Sequence, residues 1–562
     1  MNYKLKLIFS FILCTNFAAF AQQYNGWTLT SVMGSITATL IDTNQATVKT
    51  WSGLTGASGY SSYLMPGGIL VRGAKGAPLP AGAPGGPTHG QLQKHDYSGT
   101  LIWNYKAAGA DYIAHHDICP MPNGNVLAIV YHKVPAAQVT AAGGNNAIDM
   151  WPDKIIEVQP GANVIDGTIV WEWRIWDHIM QNVDAAKPNY YANVIDHPEL
   201  LNINYKQAKD WIHMNGVDYN PILDQIVVSS HNLNEWYVID HSTTTAEAAS
   251  HSGGNSGKGG DFLYRWGNPA AYGAAGTAIL NVTHDAHWIP EGCPNAGRLV
   301  GFNNKGQAPS TSTVDQIIPP INGYNYNYTA GQAYSPATYD SRHVTNLYSS
   351  NMGNSQQLPN GNQLVCVATT GKVYEIDANG NQLWIKTFQG SVPQAFKYDS
   401  CYIFNAAPAI PTVTGNATTL TASTAATYQW YLNGVLIPGA TSMTYNPTVS
   451  GIYVVRITDA KGCIYQYSAG YKFTKWAAGI ATVNLSENVT VYPNPAYDIL
   501  KIEDNNQLGN QFTTQITDYM GNIVYKSANT KEMDVRSLSN GLYLVQIFSK
   551  NGNVTKKISI VK

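Results

Sequence analysis

The chain has 562 residues, with 33 Lys and Arg against 35 Asp and Glu and a formal charge of -2, so it carries no bulk attraction for nucleic acid or anionic lipid. Charged residues make up only 12%, about half the usual ~25% of a globular protein. Tyr, Trp, Gly, Asn and Thr are abundant and Leu-rich helical heptads are absent, which is the profile of an exported all-β protein rather than a helical one.

Lys4 and Lys6 precede an apolar run from Leu7 to Phe20, and Ala19-Phe20-Ala21 follows as a small-residue cleavage site. This predicts a secretory signal peptide over 1–21. The run is too short and wrongly flanked for a spanning helix, and later segments never reach the ~18 continuous apolar residues that one needs. Cys14 leaves with the signal, and Cys119, Cys293, Cys366, Cys401 and Cys463 remain. They show no zinc spacing. One or two disulfides suit an oxidising compartment, with a pairing that spacing does not reveal.

A chain this long exceeds one ordinary core and implies about two to four domains. Residues 22–402 read as one of them. Phrases of a single type recur there: GTLIWNY from Gly99, IIEVQPGANVIDGTIVWEW from Ile155, WYVIDH from Trp236 and VYEIDANGNQLW from Val373. Each reads as a pair of alternating strands around a polar Gly, Asn or Asp turn, the hairpin signal. Repetition with recurrent aromatic positions favours a β-propeller, with six blades preferred. The Pro/Gly-rich stretch from Met65 to Gly90 predicts a loop, as does the small, polar stretch from Thr243 to Gly260.

Three segments open with histidine and run into an apolar strand, from Ala114, Trp211 and Thr283. Counted back from the prolines that follow, His116 sits before Pro122 as His284 sits before Pro290. His116, His213 and His284 are therefore expected at one repeated position, facing each other across the central funnel. Eleven of fourteen histidines lie between His115 and His287. His178, His197, His241 and His251 are expected to be polar loop residues held by hydrogen bonds. His115 and His287 lie on the opposite strand face from their neighbours.

Three imidazoles around an axis allow metal binding or nucleophilic and electrostatic catalysis. Asp117 and Asp285 directly follow their histidines and point away, and no HxH or HxxxH spacing appears, so the residues argue against a metal. No nucleotide or dinucleotide fingerprint implies a cofactor either. A neutral imidazole attacking an electrophile, with Asn215 among the donors to an anionic group, is the reading that remains.

After Cys401 the pattern changes to short alternating strands. Residues 403–475 resemble an immunoglobulin-like sandwich through Trp430 and the Ser-Gly-Ile-Tyr around Tyr453. Residues 476–487 read as a linker, and 488–562 as a small β-sandwich. The last segment resembles the C-terminal sorting domain of type IX secretion. The resemblance is carried by Val491-Tyr492-Pro493-Asn494-Pro495, by Gly521-Asn522-Ile523-Val524 and by Leu538-Ser539-Asn540-Gly541-Leu542-Tyr543. It implies recognition by that secretion machinery, export through the periplasm, and release or attachment at the cell surface.

The propeller segment resembles the arylsulfate sulfotransferase family. The carrying motifs are His115-His116-Asp117 with Pro122-Asn123-Gly124-Asn125, Asp210-Trp211-Ile212-His213-Met214-Asn215, Ser229-Ser230-His231-Asn232, Phe262-Leu263-Tyr264-Arg265-Trp266-Gly267-Asn268-Pro269, and His284-Asp285-Ala286-His287 leading to Phe302-Asn303-Asn304. The resemblance implies a six-bladed propeller that moves a sulfuryl group from a phenolic sulfate to a phenol through a sulfated histidine, without a nucleotide sulfate donor. It implies His284 as nucleophile, with His116, His213 and Asn215 holding the sulfate or protonating the leaving phenolate. His231 stands where the family commonly has arginine, and His115, His287 and Arg265 complete the expected substrate-binding set. A non-catalytic binding propeller and an aryl sulfatase that uses water as acceptor are the alternatives.

Overall fold

A computed structural model describes residues 22–308, 310–475, 488–505, 507–519 and 521–562. The signal peptide and the 476–487 linker lie outside the described residues. The described chain divides into two compact units, one reaching Phe473 and the other holding the C-terminal segment.

The first unit contains six four-stranded antiparallel sheets in a ring. Blade 1 joins Ala395–Tyr398 to Trp27–Thr30, Ala38–Ile41 and Thr47–Trp51. Blade 2 is Ser58–Met65, Ile69–Lys75, Gly90–His95 and Leu101–Lys106; blade 3 is Tyr112–Pro120, Val126–His132, Asp153–Pro160 and Gly167–Arg174. Blade 4 is Met214–Asn220, Gln225–Ser230, Glu235–Asp240 and Tyr264–Trp266; blade 5 is Thr283–Trp288, Leu299–Gln307, Thr311–Ile317 and Ser341–Val344. Blade 6 is Asn354–Gln357, Gln363–Val367, Lys372–Ile376 and Gln382–Thr387. The first strand written for each blade is the innermost, and each inner strand packs on the next around the axis.

The expected loop over Met65 to Gly90 needs correction. Gly67 and Gly68 turn the chain at positive φ, and Ile69–Lys75 then forms a buried strand of blade 2. Only residues 76–89 form the loop. The glycines and prolines flank a strand whose apolar residues fill the core.

Blade-to-blade packing explains the long apolar runs. Val126 to Tyr131 are all buried, because the second strand of a blade has another blade on each face. Burying one such aliphatic side chain contributes about 1.5–3 kcal/mol. Carboxylates stitch successive blades at one level: Asp117 Oδ2 accepts from Val217 N–H (3.2 Å), Asp218 Oδ2 from Trp288 N–H (2.9 Å) and Asp285 Oδ2 from Ser355 N–H (3.2 Å).

Within the same unit, residues 413–473 form two sheets around buried Trp430 and Tyr453. A disulfide joins Cys401, at the end of the propeller, to Cys463 of this β module, leaving Cys119, Cys293 and Cys366 as thiols. The module is also tied down by Arg456, which pairs with Glu291, and by Gln466 Nε2 donating to Pro122 O (3.1 Å). Between module and propeller lies a cavity of about 590 Å³.

The C-terminal unit has a three-stranded sheet (Thr490–Tyr492, Ile499–Glu503, Glu532–Asp534) and a four-stranded one (Phe512–Thr517, Ile523–Ala528, Gly541–Ser549, Gly552–Ile560). Alternating residues such as Leu500, Ile516, Val545, Ile547 and Ile558 form its core.

Candidate active site

Bulges at the start of the inner strands aim the site. In blade 3 four residue steps, Ala114 to Ile118, oppose two, Val130 to Ala128, whereas in blade 5 the three steps from His284 to His287 oppose two. His116 and His213 are held at φ 50° and 54°, left-handed values that cost a non-glycine residue about 1–2 kcal/mol.

The unequal bulges correct the expected equivalence of the three histidines. Ala114, Met214 and Thr283 pair with Val130, Ser230 and Asn303 ahead of the bulges. Counted from those pairs, His284 is equivalent to His115 and Asn215; His116 stands one residue later than that position and His213 two earlier. Spacing from Pro122 and Pro290 counts from the far end of the strand, across a bulge of variable length. The three side chains nonetheless meet.

His116 Nε2 lies 3.2 Å from His213 Nε2, and the His213 ring is 4.9 Å from that of His231. The His231 ring is 5.6 Å from the His284 ring, edge to face. The loop over 76–89 closes one side: Pro87 O accepts from His116 N–H, and Gly86 is so near that a Cβ there would stand 3.9 Å from the His116 ring. His116 and His284 are buried, while His213 and His231 open towards solvent.

The hydrogen bonds determine which nitrogens carry hydrogen. Asn304 Nδ2 donates to Ser349 O (2.9 Å) and Met352 O (2.8 Å), which turns its Oδ1 to His284 Nδ1 at 2.7 Å. His284 therefore donates from Nδ1, and its Nε2 lone pair accepts from Met352 N–H at 3.1 Å.

A second chain runs behind His116. Asp153 Oδ1 is 2.8 Å from His115 Nε2, His115 Nδ1 is 2.8 Å from His116 Nδ1, and beyond His116 the His213 Nδ1 meets Asp210 Oδ2 at 2.6 Å. Burial raises the Asp153 carboxyl well above the usual range and lowers His115 and His116 well below 6.5, the neighbouring imidazoles adding to the latter effect. A protonated Asp153 donating along this chain satisfies the nitrogens in turn, each imidazole accepting on one side and donating on the other. Burial, then His231, also lowers His284, and burial, then His213, pushes His231 down to about 4.

The expected substrate-binding residues divide. His231 stands at the funnel, and Lys305 is near enough to bear on its charge. Asn215 is beside the site but fully engaged, with Nδ2 donating to Thr283 O (2.8 Å) and Oδ1 accepting from Ser229 Oγ (2.6 Å). His115 is buried behind His116, its ring 3.5 Å from that of Tyr131, so it reaches substrate only through His116. Two residues lie elsewhere. His287 faces the cavity at the other end of the inner strands, where Asp285 and Asp218 overcome burial and raise it to about 9. Arg265 is in the outer strand of blade 4, paired with Glu235 at 2.7 Å and bound to the carbonyls of Pro198 and Leu200, because a buried guanidinium needs all its donors met.

Asp153 and Tyr131 were not singled out in the sequence, and Asp210 and Asn304 stood there only as members of motifs, without a role of their own. Tyr131, His231 and Asn304 directly follow Val130, Ser230 and Asn303, the second-strand partners of Ala114, Met214 and Thr283. Aligning second strands as well as first ones brings them out.

The first unit is thus a six-bladed propeller with a cluster of histidines gathered at one mouth. The chain belongs to the arylsulfotransferase (ASST) family, whose profile it matches over residues 82–399. Residues 490–561 match the secretion system C-terminal sorting domain, which directs the chain to secretion or the cell surface. No curated protein matches the chain. Among solved structures it is similar to a protein of unknown function from Bacteroides caccae, at 12% identity over 66% of this chain and 98% of the other, with a TM-score of 0.36. It is also similar to the Cps50 (Swd1) β-propeller domain of Myceliophteria thermophila (9%, 66% and 88%, TM-score 0.32) and to a functionally unknown protein from Desulfotomaculum acetoxidans (10%, 67% and 87%, TM-score 0.35).

Proposed function

We propose that this arylsulfotransferase-like protein moves a sulfuryl group from a phenolic sulfate to a phenol through a sulfated His284. The observation that carries the reading is the fixed tautomer of His284: with Nδ1–H held by Asn304, the lone pair sits on Nε2 among neutral imidazoles. The 3.1 Å bond from Met352 N–H is the longer of the two bonds on the ring, and an arriving sulfuryl group displaces it.

In the first step the Nε2–S bond forms as the aryl O–S bond breaks. The leaving phenolate takes the proton from His116 Nε2. His116 regains one at Nδ1 from His115, which regains one at Nε2 from Asp153, so Asp153 ends ionised and each imidazole ends neutral. In the second step an acceptor phenol attacks sulfur, its proton returns along the same chain, and His284 is freed. His213 and His231 line the path of the sulfuryl oxygens. Sulfuryl transfer resembles phosphoryl transfer in its loose transition state, so positioning and donors to developing charge supply most of the catalysis.

The test is an aryl sulfate incubated with and without a phenol, followed by mass spectrometry of the protein after donor alone. A sulfated His284 with phenol-dependent release supports the reading. Release unaffected by phenol makes the protein a sulfatase, and no release makes it a binding propeller.

A further inference from the structure

Away from the funnel, three ligand-bearing side chains converge at the edges of blades 3 and 4. His178 ends the 3-10 turn Ile175–His178 that follows blade 3, Asp261 precedes the outer strand of blade 4, and His251 lies in the small-residue stretch between 243 and 260. Their ligand atoms lie within 4.8 Å of one another. His178 Nδ1 and His251 Nδ1 each stand 2.8 Å from the same Asp261 Oδ1.

We propose that these residues form a site for one divalent transition-metal ion of the Zn²⁺ type, which fastens the excursion over 243–261 to blade 3. The argument begins with the tautomer. His178 Nε2 lies 2.8 Å from Ala248 O. A carbonyl only accepts, so Nε2 carries the hydrogen and Nδ1 is the atom that faces the carboxylate oxygen. A cation between Nδ1 and Oδ1, a proton or a metal ion, holds the two at 2.8 Å. Handing the other ring N–H to a backbone carbonyl is the outer-sphere bond that metal-ligating histidines make.

Spacing and donor type agree. Metal–ligand bonds of about 2.0–2.2 Å at 90–110° leave ligand atoms roughly 2.8–3.6 Å apart, and the two contacts with Asp261, at 2.8 Å, stand at the short end of that range. Two imidazoles and one carboxylate suit Zn²⁺, Co²⁺ or Ni²⁺, whereas Ca²⁺ and Mg²⁺ take oxygen ligands.

The frame is built before an ion arrives. His178 is buried and stacks on Trp173 at 5.6 Å, and Trp173 Nε1 donates to Gly260 O at 2.7 Å. Gly260 is required there, because a Cβ would fall 2.5 Å from His178 Nε2. His251 is 58% exposed and is the side from which the ion enters. Three protein ligands leave a further position to water.

Calorimetric titration of the untagged, metal-free chain with ZnCl₂, beside His251→Ala and Asp261→Asn, tests the site. His251 is exposed, so its replacement leaves the fold intact, and Asp261→Asn keeps the shape of the side chain. Zn²⁺ taken up by the funnel histidines is common to all three proteins and cancels. The expected result is one equivalent in the wild type that weakens at least about 10-fold in each variant, with a Zn²⁺-dependent rise in Tm that the variants lack. Failure of the wild type to bind Zn²⁺, or binding and Tm shifts identical in wild type and variants, overturns the proposal.

Discussion

His284 Nδ1 lies 2.7 Å from Asn304 Oδ1, and the Asn304 amide gives its hydrogens to the carbonyls of Ser349 and Met352, so it has none to offer the imidazole. The amide acts on His284 as an orienting carboxylate acts on an imidazole: it decides which nitrogen keeps the lone pair.

Asn304→Ala should therefore lower turnover by about 10²–10⁴-fold, the range seen when a catalytic histidine loses its correct tautomer. Asn304→Asp keeps the acceptor and adds charge, which raises the pKa of the imidazole. It should retain far more activity than Asn304→Ala, with the acid limb of its pH–rate profile moved to higher pH. Equal losses in the two variants would show that Asn304 only fills space.

Asp153 is two imidazoles away from the funnel, and its effect should depend on the leaving group. Asp153→Asn still donates to His115 but has no carboxyl proton to release. Sulfates of acidic phenols, which leave without help, should react at nearly the wild-type rate, whereas sulfates of ordinary phenols should slow by about 10²-fold. Uniform slowing across a leaving-group series would remove Asp153 and His115 from the proton path.

His231, with a pKa of about 4 set by burial and then by His213, is uncharged in the free protein from pH 5 upwards. His231→Arg supplies a permanent cation and a two-pronged donor. KM for an aryl sulfate should fall several-fold at pH 7, and the advantage should shrink as pH drops towards 4 and the wild-type imidazole charges. A KM ratio constant with pH would place His231 outside the anion's reach.

Acid should destabilise the propeller. His89 is buried, its Cβ 2.3 Å from where a Cβ on Gly59 would stand and its ring 2.9 Å from one on Gly73, and burial lowers it to about 4. The unfolded chain takes up this proton below about 6.5, and the folded one only below about 4. Stability therefore falls as pH drops between those values, by about 3 kcal/mol for His89 alone. His241 has the opposite sign: burial is outweighed by Asp224 and Glu157, its pKa is about 9, and its contribution is complete below 6.5 and lost towards 9. Denaturant titrations from pH 7 to pH 4 should show a shallower decline for His89→Phe than for the wild type.

The blade pattern was legible because paired strands around Gly, Asn or Asp turns leave a local signature that repeats, and the sorting domain because its motifs are contiguous. The convergence of His116, His213 and His284 was legible for a related reason, since each lies on or just before the innermost strand of its blade. Their relative register was not: a bulge adds a residue without leaving a mark in composition. Asp153 and Asn304 were hidden because their roles arise from other strands, and Arg265 looked available because its partner Glu235 sits on a neighbouring strand. The Cys401–Cys463 pairing likewise joins segments whose adjacency exists only in the folded unit.

Blade 1 is completed by the two ends of the propeller sequence, with Trp27 opposite Tyr398. Loop-closure entropy must be met before such a contact contributes anything, so this pairing belongs to the end of folding. A chain emerging N-terminus first holds every funnel histidine long before the strand that shuts the circle appears. Activity then begins only after Tyr398 has emerged, and a protein halted during synthesis or passage across the inner membrane has an open arc in place of a funnel.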